Sequence, residues 1–275
     1  MQPTSAEIAA YLAEDIGSGD LTASIIPASF QASATVITRE ETVLCGQAWF
    51  DAVFLQLSPA VSIEWLCREG DLIAANTLLC RLKGPARALL SGERTALNLL
   101  QTLSATATIA RQYAKAVAGT HCKILDTRKT IPGLRKAQKY AVTCGGCFNH
   151  RIGLFDAILI KENHIIAAGS IAQAVKTARL QSQVSIEVEV ENLEEFQQAL
   201  AARPDRIMLD NFSIAETRTA VEQNHGLLEL EASGNITLEN IRTIAETGVN
   251  YISIGALTKN LAAVDLSMRI ELLSA

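Results

Sequence analysis

Beyond residue 120 the chain repeats one pattern, in which a short β-type apolar run is followed by a segment with helical spacing. The apolar runs predict strands at Ile124–Leu125, Ala157–Ile160, Val184–Val190, Arg206–Leu209, Leu227–Leu230 and Tyr251–Ile254. Helical spacing follows most of them, at Ile171–Leu180, Leu193–Ala201, Ile214–Gln223 and Leu238–Thr247. Strands that are largely apolar and alternate with helices predict a parallel sheet covered by helices.

The first 105 residues follow a different pattern. Short apolar runs at Ala34–Ile37 and Val61–Leu66 are separated by Gly, Pro and charged residues, and Glu69–Asp71 is typical of a turn between strands. Helical spacing then covers Ser91–Ala118, and Ser91 ahead of Glu93 and Arg94 is expected to cap that helix. This part predicts a small α+β domain that ends in a long helix.

Polar and charged residues follow each strand predicted in the second part. They are Asp126–Lys129, Lys161–His164, Glu189–Glu191, Asp210–Asn211, Glu231–Asn235 and Gly255–Ala256. The carboxyl ends of parallel strands meet on one rim when the sheet closes, and barrel active sites are built there. An open doubly wound sheet would collect such residues only near a switch point. Six such ends favour a closed or nearly closed barrel with its site on this rim.

Charge adds a substrate class to this prediction. Between Lys123 and Lys161 there are eight Lys or Arg and two Asp, a local charge of +6 in a chain of charge −5, so the other residues sum to −11. A basic pocket in an acidic chain predicts small anionic ligands and argues against nucleic acid.

The 275 residues, 49% of them apolar, can bury a large core. No run is long enough to span a bilayer, the first 20 residues show no signal-peptide pattern, and the six cysteines are scattered, so we expect a cytoplasmic protein without membrane contact.

Several rim residues have both a functional and an ordinary interpretation. Arg128 and Lys129 suit carboxylate or phosphate, or they form an exposed loop. His150 beside Arg151 predicts an acid–base group or an anion donor, although an isolated histidine is more often a structural one. Lys161 could form a Schiff base or could clamp a phosphate as a charged group. The residues alone leave these alternatives open.

The acidic and glycine-containing strand ends are equally open. Glu189 and Asp210 could hold Mg²⁺ or ribose hydroxyls, or could pair with the neighbouring cations. The loops Ser233–Asn235 and Ile254–Ala256 could seat a phosphate on backbone N–H groups, or could be ordinary turns. Cys144 and Cys147 match CxxC, but no second pair exists for zinc and the context is not that of a redox pair.

Nine segments along the chain together resemble the nicotinate-nucleotide pyrophosphorylases, the family also called quinolinate phosphoribosyltransferases. The segments, in the family's order, are Glu14–Thr22, Ser91–Asn98, Asp126–Gly133, Asn149–Arg151, Leu159–His164, Glu187–Val190, Leu209–Phe212, Ser233–Asn235 and Gly255–Thr258. One departure is Cys147, where the family usually has a third glycine, and this departure indicates that the CxxC is incidental.

The resemblance implies that quinolinate and phosphoribosyl pyrophosphate give nicotinate mononucleotide, pyrophosphate and CO₂ with Mg²⁺, a pentosyltransferase reaction of de novo NAD synthesis. It implies an α/β fold, with an N-terminal α/β sandwich domain in residues 1–105, joined by 265–275, and a C-terminal incomplete (β/α) barrel in residues 106–264. It also implies a homodimer, or a higher oligomer built from it.

The resemblance also assigns roles to matching positions. The pyridine dicarboxylate would be held by Arg128, Lys129, His150 and Arg151 with Thr127 nearby, and Arg94 would reach the neighbouring subunit's pocket. Lys161, Glu189 and Asp210 would face the phosphoribosyl group, and the two carboxylates would bind Mg²⁺ directly or through its pyrophosphate. The 5′-phosphate would lie on Ser233, Gly234, Asn235, Ile254, Gly255 and Ala256. Lys129, Lys161, Glu189 and Asp210 would form the catalytic set.

Three other functions compete with this one. A Schiff-base barrel lyase would use Lys161 as its nucleophile and would be trapped by borohydride. A molybdenum-transport-associated homologue of the same superfamily is the second, although the retained Lys161–His164 segment and both carboxylates argue against it. An anion-binding module without activity is the third, and it would bind quinolinate without releasing CO₂.

Overall fold

The computed structural model describes residues 1–273. The α-helices are α1 Ser5–Ile16, α2 Gln47–Leu57, α3 Ala86–Ala116, α4 Arg135–Cys144, α5 Glu162–Ala168, α6 Ile171–Gln181, α7 Leu193–Ala202, α8 Ile214–Asn224, α9 Ile241–Ala245 and α10 Ala256–Lys259. The strands are β1 Gln31–Thr38, β2 Thr42–Val43, β3 Ser62–Trp65, β4 Leu72–Ile73, β5 Leu78–Pro85, β6 Lys123–Leu125, β7 Ile158–Ile160, β8 Ile186–Val190, β9 Arg206–Asp210, β10 Glu229–Ser233, β11 Tyr251–Ser253 and β12 Leu266–Leu272.

The chain forms two compact units. The N-terminal unit contains Met1–Ala110 together with the chain from Leu261 onward, and the barrel unit contains Arg111–Asn260. The sequence predicts domain boundaries after residue 105 and after residue 264. These boundaries stay predictions, because a compact unit in the structure is not necessarily a domain that folds independently. Residues 274–275 of the predicted 265–275 contribution lie outside the described residues.

In the N-terminal unit, an antiparallel sheet with the strand order β12-β1-β5-β3 is accompanied by α1, α2 and the first part of α3. Strand β1 alternates between buried and partly exposed positions, the period of a strand with one covered face. Helix α2 begins after Gly46 and buries Trp49, Phe50, Val53 and Phe54. The mixed α/β character predicted for this part is confirmed.

The predicted start of the long helix at Ser91 is wrong. Helix α3 already begins at Ala86, directly after Pro85 ends β5. The Ser91 hydroxyl lies inside the helix and donates to the Asp20 carboxylate at 2.7 Å instead of capping. Gly92 also lies inside the helix and packs tightly, since a Cβ there would come within 2.9 Å of both Phe54 and Leu57. The hydrogen bond to Asp20 therefore explains Ser91, and close packing against α2 explains Gly92.

The barrel unit contains six parallel strands in the order β6-β11-β10-β9-β8-β7. Among the described residues β6 and β7 are not paired, and the chain at Phe148 pairs with Leu125 beside β6. His150, two residues after that bridge, lies against Glu187 on β8 and Glu231 on β10. Contact with strands so distant in the sheet requires the sheet to curl, so the predicted incomplete barrel is confirmed.

Two predicted elements of this unit are displaced. The strand expected at Leu227–Leu230 is β10, Glu229–Ser233, because His225 and Gly226 have φ values of 48° and 72° and turn the chain. Asn224 stabilises that turn, since its side chain bonds both the N–H and the carbonyl of Leu228. The helix expected at Leu238–Thr247 shortens to α9, Ile241–Ala245.

Among residues 1–273, no helix combines the length and the apolar character that a bilayer-spanning helix needs.

Candidate active site

Two adjoining cavities lie at the carboxyl ends of the parallel strands. The central cavity has a volume of about 410 Å³ and is lined by Thr127, Arg128, Lys129, His150, Arg151, Leu159, Lys161, Glu189, Met208, Asp210, Ser233 and Ser253. The loop cavity, also about 410 Å³, is lined by Thr127, Lys129, Asp210, Asn211, Ser233, Gly234, Asn235, Ile236, Ser253, Ile254, Gly255, Ala256, Lys259 and Asn260. Five residues line both, so the two cavities adjoin.

Four cations converge on the central cavity from three loops. Arg128 and Lys129 follow β6, Arg151 precedes β7, and Lys161 follows β7. The Nε atom of Arg128 is buried and has no hydrogen-bond partner among the described residues. A half-buried guanidinium with an unpaired Nε–H is suited to an anionic oxygen brought by a ligand.

Lys161 pairs with one of the two carboxylates of the cavity. Its Nζ donates to Oε2 of Glu189, whose side chain is only 10% exposed. His164 Nδ1 accepts a hydrogen bond from the backbone N–H of Lys161 at 3.0 Å, so this histidine holds the first turn of α5. The Lys161–His164 segment therefore combines one side chain facing the cavity with a local helix-capping residue.

Asp210 and the glycine-containing loops form the boundary between the two cavities. Asp210 Oδ2 accepts from the Asn211 side chain at 2.8 Å. Gly234 has a φ of 94°, and a Cβ there would meet Asn211 Oδ1 at 2.1 Å. A Cβ on Gly255 would approach the Lys129 side chain to 3.0 Å. At both positions a Cβ would displace a neighbouring side chain, so glycine allows Asn211 and Lys129 to pack directly against the loop backbone.

A buried ion pair supports the segment that carries His150 and Arg151. Lys139 Nζ donates to Asp126 Oδ1 and to the carbonyl of His150, the latter at 2.9 Å. Asp126 in turn accepts from the backbone N–H of His150 at 2.9 Å and from the Asn149 side chain at 2.6 Å. Burial raises the pKa of Asp126 and lowers that of Lys139, so desolvation opposes the charge of both partners.

Beside the central cavity, His150 meets a group of ionisable side chains, Glu187, Glu231 and Arg206, to which the sequence analysis gave no role. Burial, followed by the charge of Glu187, raises the pKa of Glu231 to about 8. Burial lowers the pKa of His150, which favours the neutral ring, while the charge of Glu231 acts in the opposite direction. Three of these groups, His150, Glu187 and Glu231, are close enough to meet around one ion, but the Arg206 guanidinium already occupies one side of Glu231 at 3.0 Å.

The cavities bring together nearly all the residues that the sequence analysis selected. Every predicted position in the barrel unit lines one cavity or both, whereas Arg94 is an exposed residue of α3 that lines neither. The functional roles stay predictions.

Lys259 and Ser253, which line these cavities, were missed, and so were the roles of Arg206 and Glu231, which pair beside them. Charged residues inside otherwise apolar strands were the available signal for Arg206 and Glu231. Ser253 follows Ile252 in an apolar run, and no feature of the sequence marked it as a site residue.

Cys144 and Cys147 end α4 and the turn after it. Burial raises the pKa of the Cys147 thiol to about 12, and such a thiol is a poor nucleophile or metal ligand at neutral pH.

Comparisons with known proteins agree over nearly the whole chain. The family model "Quinolinate phosphoribosyl transferase, C-terminal domain" matches residues 106–269, and the corresponding N-terminal domain model matches residues 20–104. Probable nicotinate-nucleotide pyrophosphorylases (carboxylating) from Synechocystis sp. and Bacillus subtilis are 44% and 43% identical, covering 94% and 95% of this chain and 90% and 91% of theirs. The solved nicotinate-nucleotide pyrophosphorylase from Francisella tularensis is 48% identical, with a TM-score of 0.93 and 98% of each chain covered.

Proposed function

The chain belongs to the quinolinate phosphoribosyltransferase family, and we propose that it carries out this family's reaction. It is a pentosyltransferase that joins quinolinate to the ribose of phosphoribosyl pyrophosphate and releases pyrophosphate and CO₂. The product, nicotinate mononucleotide, belongs to de novo NAD synthesis.

The observation that carries this proposal is the charge of the two cavities. Four cations line the central cavity, and Lys129 and Lys259 extend the positive lining into the loop cavity. Quinolinate has two carboxylates, while phosphoribosyl pyrophosphate has a phosphate and a pyrophosphate. A pair of adjoining cavities with this many cations fits two polyanions bound side by side.

The chemistry asks for positioning and electrostatics more than for a nucleophile from the protein. The anomeric carbon gains positive charge as pyrophosphate leaves, and Glu189 and Asp210 line the cavity where that charge would develop. Attack by the ring nitrogen gives a pyridinium, which can stabilise the carbanion left when the adjacent carboxylate departs as CO₂. Arg128 and Arg151 would hold the pyridine carboxylates in place for that attack.

We also propose Mg²⁺ as the cofactor. The candidate donors Glu189 and Asp210 offer only oxygen, which is the ligand type that Mg²⁺ prefers. Glu189 is already paired with Lys161, so Asp210 is the better direct ligand, and phosphate oxygens would supply most of the rest. When bound, Mg²⁺ would screen the charge of the departing pyrophosphate.

A cytoplasmic homodimer completes the proposal, with Arg94 of the partner subunit reaching the central cavity. What supports it is the exposure of Arg94 on α3 in this chain. Arg94→Ala and Arg128→Ala proteins, each inactive, should regain partial activity after subunit exchange. An inactive, verified heterodimer would remove Arg94 from the shared site.

The Schiff-base alternative is less well supported by the geometry. A Schiff base requires an amine free to attack a carbonyl carbon, whereas Lys161 Nζ already donates a hydrogen bond to the Glu189 carboxylate. Borohydride should therefore trap no covalent adduct at Lys161 in the presence of an aldehyde or ketone substrate.

The decisive assay measures labelled CO₂ released from carboxyl-labelled quinolinate, with and without phosphoribosyl pyrophosphate. The proposal expects release only when both substrates are present. A protein that binds quinolinate but releases no CO₂ with both substrates and Mg²⁺ present would be an anion-binding module.

The first site-specific prediction concerns Arg128. Arg128→Ala should weaken quinolinate binding about 100-fold, the cost of losing a bidentate charged contact, and should change phosphoribosyl pyrophosphate binding far less. Calorimetry with each ligand alone measures both. Arg218→Ala, an exposed arginine on α8 that lines neither cavity, is the matched control and should change neither. An equal loss for both ligands contradicts the assignment.

A further inference from the structure

The protein itself occupies both ring nitrogens of His150. Nδ1 accepts a hydrogen bond from the backbone N–H of Arg151 at 2.8 Å, and Nε2 lies 2.8 Å from Oε2 of Glu187. An accepting nitrogen carries no proton, so these contacts assign the neutral tautomer with its hydrogen on Nε2. No polar atom of the ring is left to bind a substrate.

The carboxylate that receives this hydrogen belongs to a network across strands β8 to β11. Arg206 Nη1 donates to Glu231 Oε2 at 3.0 Å, and its Nη2 donates to Glu229 Oε2 at 3.1 Å. The Arg206 guanidinium also lies 3.9 Å from the centre of the Tyr251 ring, whose hydroxyl bonds Glu229. Arg206 is the cross-strand neighbour of both Glu187 and Glu229, so the sheet register fixes these side chains relative to one another.

This network lies outside the central cavity. Arg206 and Glu187 line a separate cavity of about 350 Å³ and are not among the residues that line the central one. His150 and Arg151 line both cavities, so they form the wall between them. A ligand in the central cavity would therefore touch His150 and Arg151 but not Arg206.

We infer that His150 is a positioning residue. Arg206, Glu231 and Glu187 hold its ring in one orientation, and the ring accepts the backbone N–H of Arg151. This contact orients the Arg151 guanidinium toward the anionic substrate. The inference rests on the proposed function, because it concerns how the pyridine dicarboxylate is held. It replaces the direct ligand role that the family resemblance implied for His150. The Arg151 guanidinium is held on its other side as well, since Nη1 donates to the carbonyl of Ala157 at 3.4 Å.

Two near-isosteric variants separate the positioning role from the ligand role. His150→Asn puts an acceptor oxygen near the Nδ1 position, and His150→Gln puts a donor near the Nε2 position. If His150 acts through Nδ1, the KM for quinolinate should rise less than about threefold in the Asn variant. It should rise about tenfold in the Gln variant, which corresponds to the loss of one hydrogen bond. The KM for phosphoribosyl pyrophosphate should stay unchanged in both. A smaller rise of the quinolinate KM in the Gln variant than in the Asn variant would overturn the inference.

A double-mutant cycle shows whether His150 acts through Arg151. His150→Gln should cost quinolinate binding about tenfold when Arg151 is present and almost nothing in an Arg151→Ala background. Arg206→Met should behave like His150→Gln in the same cycle. Asn224→Ala is the control for general destabilisation, because Asn224 is buried in the same unit and lines none of the three cavities. Additive losses in the His150–Arg151 cycle would contradict the inference.

Nitrogen NMR of the ¹⁵N-histidine-labelled wild-type protein tests the tautomer directly. The inference expects a protonated Nε2 and an unprotonated Nδ1 for His150, and a proton on Nδ1 would overturn it. This readout does not depend on turnover. A protein that releases no CO₂ therefore refutes the proposed function, whereas an active protein with the other tautomer refutes only the inference.

Discussion

The two units of the chain bury different kinds of polar side chain. In the N-terminal unit, the buried polar side chains among the described residues are all hydroxyls, namely Thr38, Thr42, Thr95, Ser104 and Thr106. In the barrel unit they include the ionisable Asp126, Lys139, Glu187 and Glu231. The first set costs little to desolvate, while the second is expensive unless every charge is compensated.

The difference follows from what each unit does with its polar groups. Ser104 on α3 bonds both the N–H and the carbonyl of Cys45, and Thr108 accepts from the N–H of Val43, so these hydroxyls dock backbone onto a helix. The Asp126–Lys139 pair instead fixes the loop that ends at Arg151 in the central cavity. Buried charge thus marks the unit that performs chemistry, and buried hydroxyls mark the one that provides packing.

Breaking the Lys139–Asp126 pair should give the largest effect. Lys139→Met leaves Asp126 buried and uncompensated, which should lower the free energy of unfolding by about 3–5 kcal/mol. Denaturant unfolding measures the loss, and hydrogen exchange in β6 and α4 locates it. Adding Asp126→Asn removes the stranded charge and should recover part of the stability. A double variant no more stable than the single one would mean that the charge is not the cause.

An effect that is smaller at any one pH step is expected from Glu231, because it accumulates gradually with pH. The folded state raises the Glu231 pKa from 4.5 to about 8, so between these values the folded protein keeps a proton that the unfolded chain releases. The free energy of unfolding should therefore fall as pH rises, with a slope of at most about 1.4 kcal/mol per pH unit from this group. Glu231→Gln should flatten that slope in denaturant unfolding from about pH 5 to about pH 8. An unchanged slope would show that Glu231 does not carry the proton.

The smallest effect should come from the hydroxyl unit. Ser104→Ala removes two hydrogen bonds with Cys45 and should cost about 1–2 kcal/mol of stability, without changing either KM. Denaturant unfolding and steady-state kinetics test both halves of this expectation. A loss as large as that of Lys139→Met, or a changed KM for quinolinate, would remove the contrast between the units.

The sequence predicted many of the residues that line the barrel cavities, because those residues follow a positional rule. Lys161, Glu189 and Asp210 each end an apolar strand or follow it at once, and parallel strands bring such positions to one rim. It did worse where local signals conflict with packing. Ser91 ahead of Glu93 and Arg94 resembles a helix cap, yet α3 already begins at Ala86 and Ser91 lies inside it. Leu227 resembles a strand start, yet the backbone turns at His225 and Gly226.

The sequence alone determined the α/β fold and the rim that collects the site, since both depend on the order of apolar and polar positions. It also determined the positive charge of that rim, since the charge depends on composition. Only the tertiary structure decided what each side chain bonds. Glu187, Arg206 and Glu231 occupy inward positions that periodicity can indicate, but their meeting with His150 depends on how far the sheet curls. Curvature brings together residues far apart along the chain, and no local pattern encodes the distance between them.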